Sequence, residues 1–388
     1  MKRDSVKIML VAGEASGDAH AAKLARALID ALPEADVELF GCAGPKMRSS
    51  GVEAIVAADE LSVIGLPEIA RALPMFLSAF RKLKTAARER RPDVAVLIDF
   101  PDFNMKLARS LKKQGLTVVY YISPQLWAWR KYRLRTIRKY VDLVLAILPF
   151  EKDWYAGHGV EHVEYVGNPL AREVAPASTR EEFCERHGLD PARPLVALLP
   201  GSRRKEITKI LPDMLNAASL LAEEKPAVQF AAALAAERHR ELFAEIAASG
   251  APKGIAAVVG ETYDALNAAD AAAVTSGTAT LETGIIGVPM AIVYKTSALN
   301  YGLLRPLINV EHFGLINLIA GERIAKELIQ GEFTPETLAA ELARLLEPDT
   351  NADVRSRLKA AADKLGHGGA SKRAAEAIIG LMNSRGPS

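Results

Sequence analysis

The sequence predicts an α/β protein of two domains, each a mostly parallel sheet covered by helices. Three observations carry this prediction. Short apolar runs alternate with stretches of helical spacing. The alternation comes in two series, separated by Val166-Gly167-Asn168-Pro169-Leu170. Several runs end in glycine and small hydroxyl residues just before a helical stretch, a pattern in which free N–H groups and the helix dipole favour an anion. Two such series imply a cleft enzyme whose phosphate-bearing substrate is held mainly by the C-terminal half.

The elements follow in order. Val6–Val11 reads as a buried strand, and Gly13–Asp18 as the turn into a helix with Leu24, Leu28 and Leu32 on one face. Val37–Phe40 is a strand, Leu77–Arg90 a helix and Val94–Ile98 a strand ending at Asp99. Residues 103–113 resume helical spacing, and Thr117–Ile122 and Asp142–Leu148 are strand-like. The second series has strands at Leu195–Leu199, Val228–Leu234, Ala271–Thr275 and Met290–Tyr294. Helical patterns follow Thr334-Pro335 and resume from Asp353 and Ala370. The predicted domains are 1–170 and 171–340, with C-terminal helices over 341–388.

The 388 residues are enough for two cores without staples. A net charge of +2 gives no argument for nucleic acid. Cys42 and Cys184 lack partner spacing, and the seven histidines lack metal-ligand spacing, so a reducing compartment is expected and no metal or cofactor. The longest apolar runs fall far short of the ~18 residues of a spanning helix, and no signal peptide is read. The expectation is a cytoplasmic protein, or one bound to a membrane without crossing it.

Four turns occupy strand ends, where open α/β sheets bind ligands: Gly13–Asp18, Asp99–Asn104, Gly201–Arg203 and Ser276–Glu282. None matches G-x-G-x-x-G or G-x-x-x-x-G-K-[ST], which argues against a Rossmann dehydrogenase or a P-loop ATPase. Arg203, after Gly201-Ser202, is placed to fork onto a diphosphate; the bland alternative is a surface arginine. Asp99 is a candidate general base, whereas Asp102 fits a helix cap better. Trp127 and Trp129 either bind sugar or acyl chains or pack, one in the core and one on a loop. The six basic residues between Arg130 and Lys139 are a solvated helix face or a contact for phosphate or anionic lipid. Residues 61–80 put Val63, Ile64, Leu66, Met75, Phe76 and Leu77 beside Arg81, Lys82 and Lys84. That pairing fits a membrane contact or a greasy substrate groove, against the alternative of a buried helix.

Together these stretches resemble the lipid-A-disaccharide synthase family. The resemblance rests on GEASGD (13–18), IDFPDFN (98–104), SPQLWAWR (123–130), LPFEKDWY (148–155), LPGSRRKEI (199–207), SGTATLE (276–282) and INLIAGERIAKELIQ (316–330), and runs from about residue 6 to 385. Asn168 departs from it, because many members carry histidine there. The resemblance implies two Rossmann-like domains of the GT-B type and an inverting, metal-independent glycosyltransferase. It implies a UDP-2,3-diacylglucosamine donor, a 2,3-diacylglucosamine 1-phosphate acceptor and a place on the cytoplasmic face of the inner membrane. Asp99 becomes the base. Gly201, Ser202, Arg203, Ser276, Gly277, Thr278, Thr280, Glu282 and Asn317 become the UDP-sugar side. Glu14, Ser16, Gly17 and Asp18, with Ser123 and Trp127, become the acceptor side. It also leads us to expect a helix beyond about residue 340 packing back on an N-terminal domain, its own or that of a partner in a homodimer. Rivals on the same scaffold are a peptidoglycan-precursor glycosyltransferase, which predicts a GGSxG-like first turn absent here, and a UDP-sugar 2-epimerase, which needs no acyl surface. A third rival is a peripheral membrane protein that only senses a nucleotide sugar.

Overall fold

The computed structural model describes residues 4–61, 69–248, 250–297, 311–366 and 368–385. They form two compact units, Met1–Pro169 with His367–Ser388, and Leu170–Gly366. The first holds β1 (Ser5–Ala12), β2 (Asp36–Ala43), β3 (Glu53–Ala57), β4 (Val94–Ile98), β5 (Val118–Tyr121), β6 (Leu143–Ala146) and β7 (Val163–Tyr165) in the order 3-2-1-4-5-6-7. All neighbours are parallel. Helices cover both faces, so the central strands are apolar throughout rather than alternating. Met9 and Val11 enter the core on one face, Ile8 and Leu10 the core on the other. Helix Ala370–Ser384 completes the second of these cores, setting Ala374, Ala375, Ile378 and Met382 among Leu24 and Leu28 of helix Ala15–Ala31.

The second unit holds β8 (Leu195–Leu199), β9 (Gln229–Leu234), β10 (Ala256–Val259), β11 (Ala271–Thr275), β12 (Met290–Tyr294) and β13 (Lys326–Ile329) in the order 10-9-8-11-12-13, again all parallel. Helices Pro335–Leu345 and Pro348–Asp363 belong to this unit.

Four strands escape the sequence reading: β3, β7, β10 and β13. They are the four edges of the two sheets. An edge strand is short and half exposed, so it carries charged residues such as Glu53, Glu164 and Lys326 and shows no buried apolar run.

Candidate functional site

In the first sheet β1 and β4 are neighbours, and the strand order reverses between them. Chains leaving two such strands diverge and open a crevice at their carboxyl ends. The turn after β1 is Gly13–Asp18, and the turn after β4 is Asp99–Asn104. Gly13 must lack a side chain, because a Cβ there would lie 2.3 Å from the Phe100 ring. Glu14 and Ser16 are exposed, and Gly17 is buried at the start of its helix.

Asp99 and Phe100 both take left-handed backbone conformations, each with φ +48°. Such strain persists only where neighbours enforce it. The Asp99 N–H donates to Tyr121 O at 3.1 Å. Its carbonyl accepts from Tyr120 Oη at 2.7 Å and from Asn104 Nδ2 at 2.9 Å. Asn104 also donates to Ile98 O at 3.2 Å, holding the strand end. Burial, and secondly the charge of Glu14, push the Asp99 carboxyl up to about 6, while a backbone hydrogen bond from Phe100 opposes them. A base tuned toward neutral pH is what proton abstraction needs.

The structure corrects several expectations here. Asp18 spends both carboxylate oxygens on the backbone, accepting from Lys46 N at 2.9 Å and Met47 N at 3.1 Å. It caps the turn Pro45–Arg48 rather than facing a substrate. Ser123 and Trp127 are buried around Glu151, which accepts from Trp127 Nε1 at 3.2 Å and from the N–H groups of Ile147 and Leu148 at 3.2 and 3.0 Å. Burial pushes the Glu151 carboxyl up to about 7, against the pull of those hydrogen bonds. Nothing in the sequence marked Glu151 as the hub of that loop. Asp102 makes no cap; it pairs with Arg130 and Arg133. The basic run is not one face either. Arg138, at the far end of its helix, donates instead to the carbonyls of His158 and Gly159.

Of the apolar segment, Val63, Ile64 and Leu66 lie outside the described residues. Helix Ile69–Arg90 begins earlier than its spacing predicts and runs through Pro74. Met75 and Phe76 are half-buried against the core, with Phe76 6.2 Å from Phe100 between ring centres. Leu77 is 48% exposed, and Leu73, one turn away on the same face, 56%.

The second sheet repeats the geometry. Its order reverses between β8 and β11, whose carboxyl ends carry Gly201–Arg203 and Ser276–Glu282. Gly201 has φ +104°, and a Cβ there would lie 2.9 Å from Glu206 Oε2. That carboxylate caps helix Arg204–Glu224 by accepting from Arg203 N at 3.3 Å, and its other oxygen holds Arg203 Nη1 at 2.9 Å. The Arg203 side chain remains 81% exposed, and Ser202 is exposed beside it. Gly277, at φ +153°, opens helix Thr278–Ile286, which no side chain caps. Within that turn the Thr280 N–H donates back to Gly277 O at 3.2 Å, and among the described residues no side chain caps the N–H groups of Thr278 and Ala279, the donors that suit an anion. Ser276 Oγ donates to Phe313 O at 3.0 Å, and Thr278 is exposed. Glu282 accepts from Tyr263 Oη at 3.0 Å, and burial raises its pKa.

Two residues assigned to this side turn inward. Thr280 is fully buried and donates to Gly277 O at 2.8 Å. Asn317, also fully buried, donates to Ala325 O at 2.8 Å and Glu327 Oε1 at 2.9 Å, and accepts from Ile324 N and Ala325 N. With its amide satisfied it can support the loop but not touch a nucleotide. Asn317→Ala is therefore expected to cost about 3 kcal/mol in a denaturant unfolding titration, and to change the donor KM of the folded enzyme little.

Two parallel sheets, each with exposed polar turns at its point of strand-order reversal, define an α/β protein of the GT-B architecture. Solved structures share that fold: a putative UDP-N-acetylglucosamine 2-epimerase from Listeria monocytogenes (TM-score 0.68, 15% identity, 98% of this chain and 97% of that one) and the calicheamicin glycosyltransferase CalG4 (TM-score 0.61, 14% identity, the full length of both). The family model described as lipid-A-disaccharide synthetase matches residues 8–379. The lipid-A-disaccharide synthase of Syntrophus aciditrophicus is 44% identical over 98% of both chains, and that of Myxococcus xanthus 43% over 97% of both. The chain belongs to the lipid-A-disaccharide synthetase family and is a glycosyltransferase.

Proposed function

We propose that the enzyme joins UDP-2,3-diacylglucosamine to the 6-hydroxyl of 2,3-diacylglucosamine 1-phosphate, giving the β-1,6-linked disaccharide 1-phosphate and UDP. The observation that carries this reading is Asp99, strained and raised toward neutral pH beside Glu14 at the first switch point. Ionised Asp99 takes the proton of the 6-hydroxyl as that oxygen attacks the anomeric carbon. The bond from that carbon to the diphosphate breaks, and its electron pair leaves with UDP. The uncapped N-terminus of helix Thr278–Ile286 and the Arg203 guanidinium stabilise the charge that develops there. Glu282, oriented by Tyr263, accepts hydrogen bonds from the ribose hydroxyls.

Incubation of the purified protein with donor, alone and with acceptor, tests this. UDP is expected only when the acylated sugar phosphate is present. UDP released without acceptor, or isomerised donor, would remove the transferase reading.

No described helix is long and apolar enough to cross a membrane. Both substrates carry acyl chains, so we place the enzyme on the cytoplasmic face of the inner membrane, with Leu73 and Leu77 as its described lipid-facing contacts. The double variant Leu73→Ser/Leu77→Ser is expected to bind anionic vesicles more weakly in sedimentation and to raise the acceptor KM, with UDP affinity unchanged. Vesicle binding equal to the parent's would make these leucines bystanders.

A further inference from the structure

Arg130 and Arg133 converge on one carboxylate, that of Asp102. Arg130 Nη1 reaches Asp102 Oδ1 at 2.9 Å and Oδ2 at 3.3 Å, and Arg133 meets the same Oδ1 through Nη2. Arg130 has a left-handed backbone, φ +56°, and its guanidinium lies 4.1 Å over the Trp129 ring. The Arg133 side chain is only 11% exposed, whereas Asp102 is 73% exposed. The Arg130–Asp102 pair, with side chains 35% and 73% exposed, adds little to stability, so stability does not explain the strained backbone at Arg130.

The arrangement has a surplus. Two guanidinium groups face one carboxylate, leaving one net positive charge. Asp102 engages one nitrogen of each arginine and Tyr132 shares a hydrogen bond with Arg133, yet each five-donor fork has further N–H groups. The position is also specific. Asp102 lies three residues from Asp99 in the same turn, and the Tyr120 hydroxyl that holds the Asp99 carbonyl feels the charges of Asp99, Arg133 and Asp102 together. Planar, preset guanidinium forks suit a phosphomonoester better than flexible lysines do.

We propose that Arg130 and Arg133, preset by Asp102, clamp the phosphate of the acceptor while Asp99 takes the proton from its 6-hydroxyl. The proposal rests on the acceptor assignment above. One pyranose ring carries both groups, and the carboxylate that presets the clamp lies on the same turn as the base. Asp102 is a positioning residue, and the two arginines make the contact.

The test compares two acceptors, 2,3-diacylglucosamine 1-phosphate and the same compound without phosphate, in the parent enzyme and in Arg130→Gln, Arg133→Gln and Arg133→Lys. Removing the phosphate is expected to raise the parent's acceptor KM roughly 10- to 100-fold. Each glutamine variant should raise KM by a similar factor for the phosphorylated acceptor alone, with donor KM and kcat held. Arg133→Lys, which keeps the charge but loses the fork, should fall between. Asp102→Asn should also give an intermediate KM, because it loosens the clamp without removing it. Equal losses on both acceptors, or a parent indifferent to the phosphate, would overturn the clamp. If Arg133→Gln does not fold, the more exposed Arg130→Gln decides. A second arm measures binding to phosphatidylglycerol vesicles, expected to match the parent in every variant. Weakened vesicle binding with unchanged acceptor discrimination would assign the arginines to lipid headgroups and overturn the proposal. A parent that releases no UDP with either acceptor would overturn the transferase reading itself.

Discussion

Asp99→Asn is expected to give an enzyme that is nearly inactive and more stable than its parent. Losing the base should lower kcat by roughly 10²–10⁴-fold. Asparagine suits the experiment because it tolerates the left-handed backbone at this position, φ +48°, better than alanine does. The stability gain follows from linkage. The Asp99 carboxyl titrates near 6 in the folded enzyme, against an ordinary value of 3.8. Its pKa is raised, so its favourable contribution is full below 3.8 and is lost as pH rises to the folded value. Above pH 6 the ionised carboxylate penalises the folded state by about 3 kcal/mol, at 1.36 kcal/mol per unit. The asparagine variant escapes that penalty. Its Tm should match the parent's near pH 4, climb above it between pH 4 and 6, and keep a constant lead beyond. The parent's kcat/KM should rise with pH through an apparent pKa near 6. Near-normal turnover in a folded Asp99→Asn enzyme would remove Asp99 from the role. An unchanged Tm difference from pH 4 to 8 would remove the account of its pKa.

Arg203→Ala is expected to lower the rate by roughly 10²–10³-fold, the usual loss when a preset electrostatic donor is removed. The Arg203 side chain is largely exposed and, among the described residues, pairs with Glu206 alone, so the variant should unfold at the parent's temperature. Backbone donors and this guanidinium are expected to supply the positive potential that the leaving diphosphate needs. EDTA should therefore leave activity unchanged. Activity lost to EDTA and restored by magnesium would contradict the mechanism, and a fully active Arg203→Ala enzyme would contradict the residue's role.

The parts of the fold legible in the sequence are those where burial is complete. The strands at Val94–Ile98, Leu195–Leu199, Ala271–Thr275 and Met290–Tyr294 appear with the boundaries read from their apolar runs. Those at the sheet edges do not, because half of each faces solvent. Three of the four candidate turns were legible for a related reason: at 13–18, 201–203 and 276–282 glycine and small hydroxyl residues interrupt an apolar run where the backbone must turn and leave donors free, whereas Asp99–Asn104 is marked by Pro101 and its acidic and amide side chains. What composition could not show is which polar side chains point inward. Asp18 finds its partners at Lys46 and Met47, Trp127 at Glu151, and Thr280 at its own helix entry. Asn317 satisfies a loop seven to ten residues further on. Such pairings depend on how the loops close, and residue type alone does not carry that information. Tyr120 and Asn104 likewise gain their importance only once their hydrogen bonds reach the Asp99 carbonyl.

The helix Ala370–Ser384 belongs to the first unit, although the whole of the second precedes it in the chain. On a ribosome, therefore, the first sheet is made early but finished late. Leu24 and Leu28 emerge long before Ala374, Ile378 and Met382 arrive to cover them. The second unit, being contiguous, has its full sequence available before the first does. Order of birth and order of completion are thus opposite, and the nascent chain must carry an unfinished apolar face throughout the synthesis of the second unit.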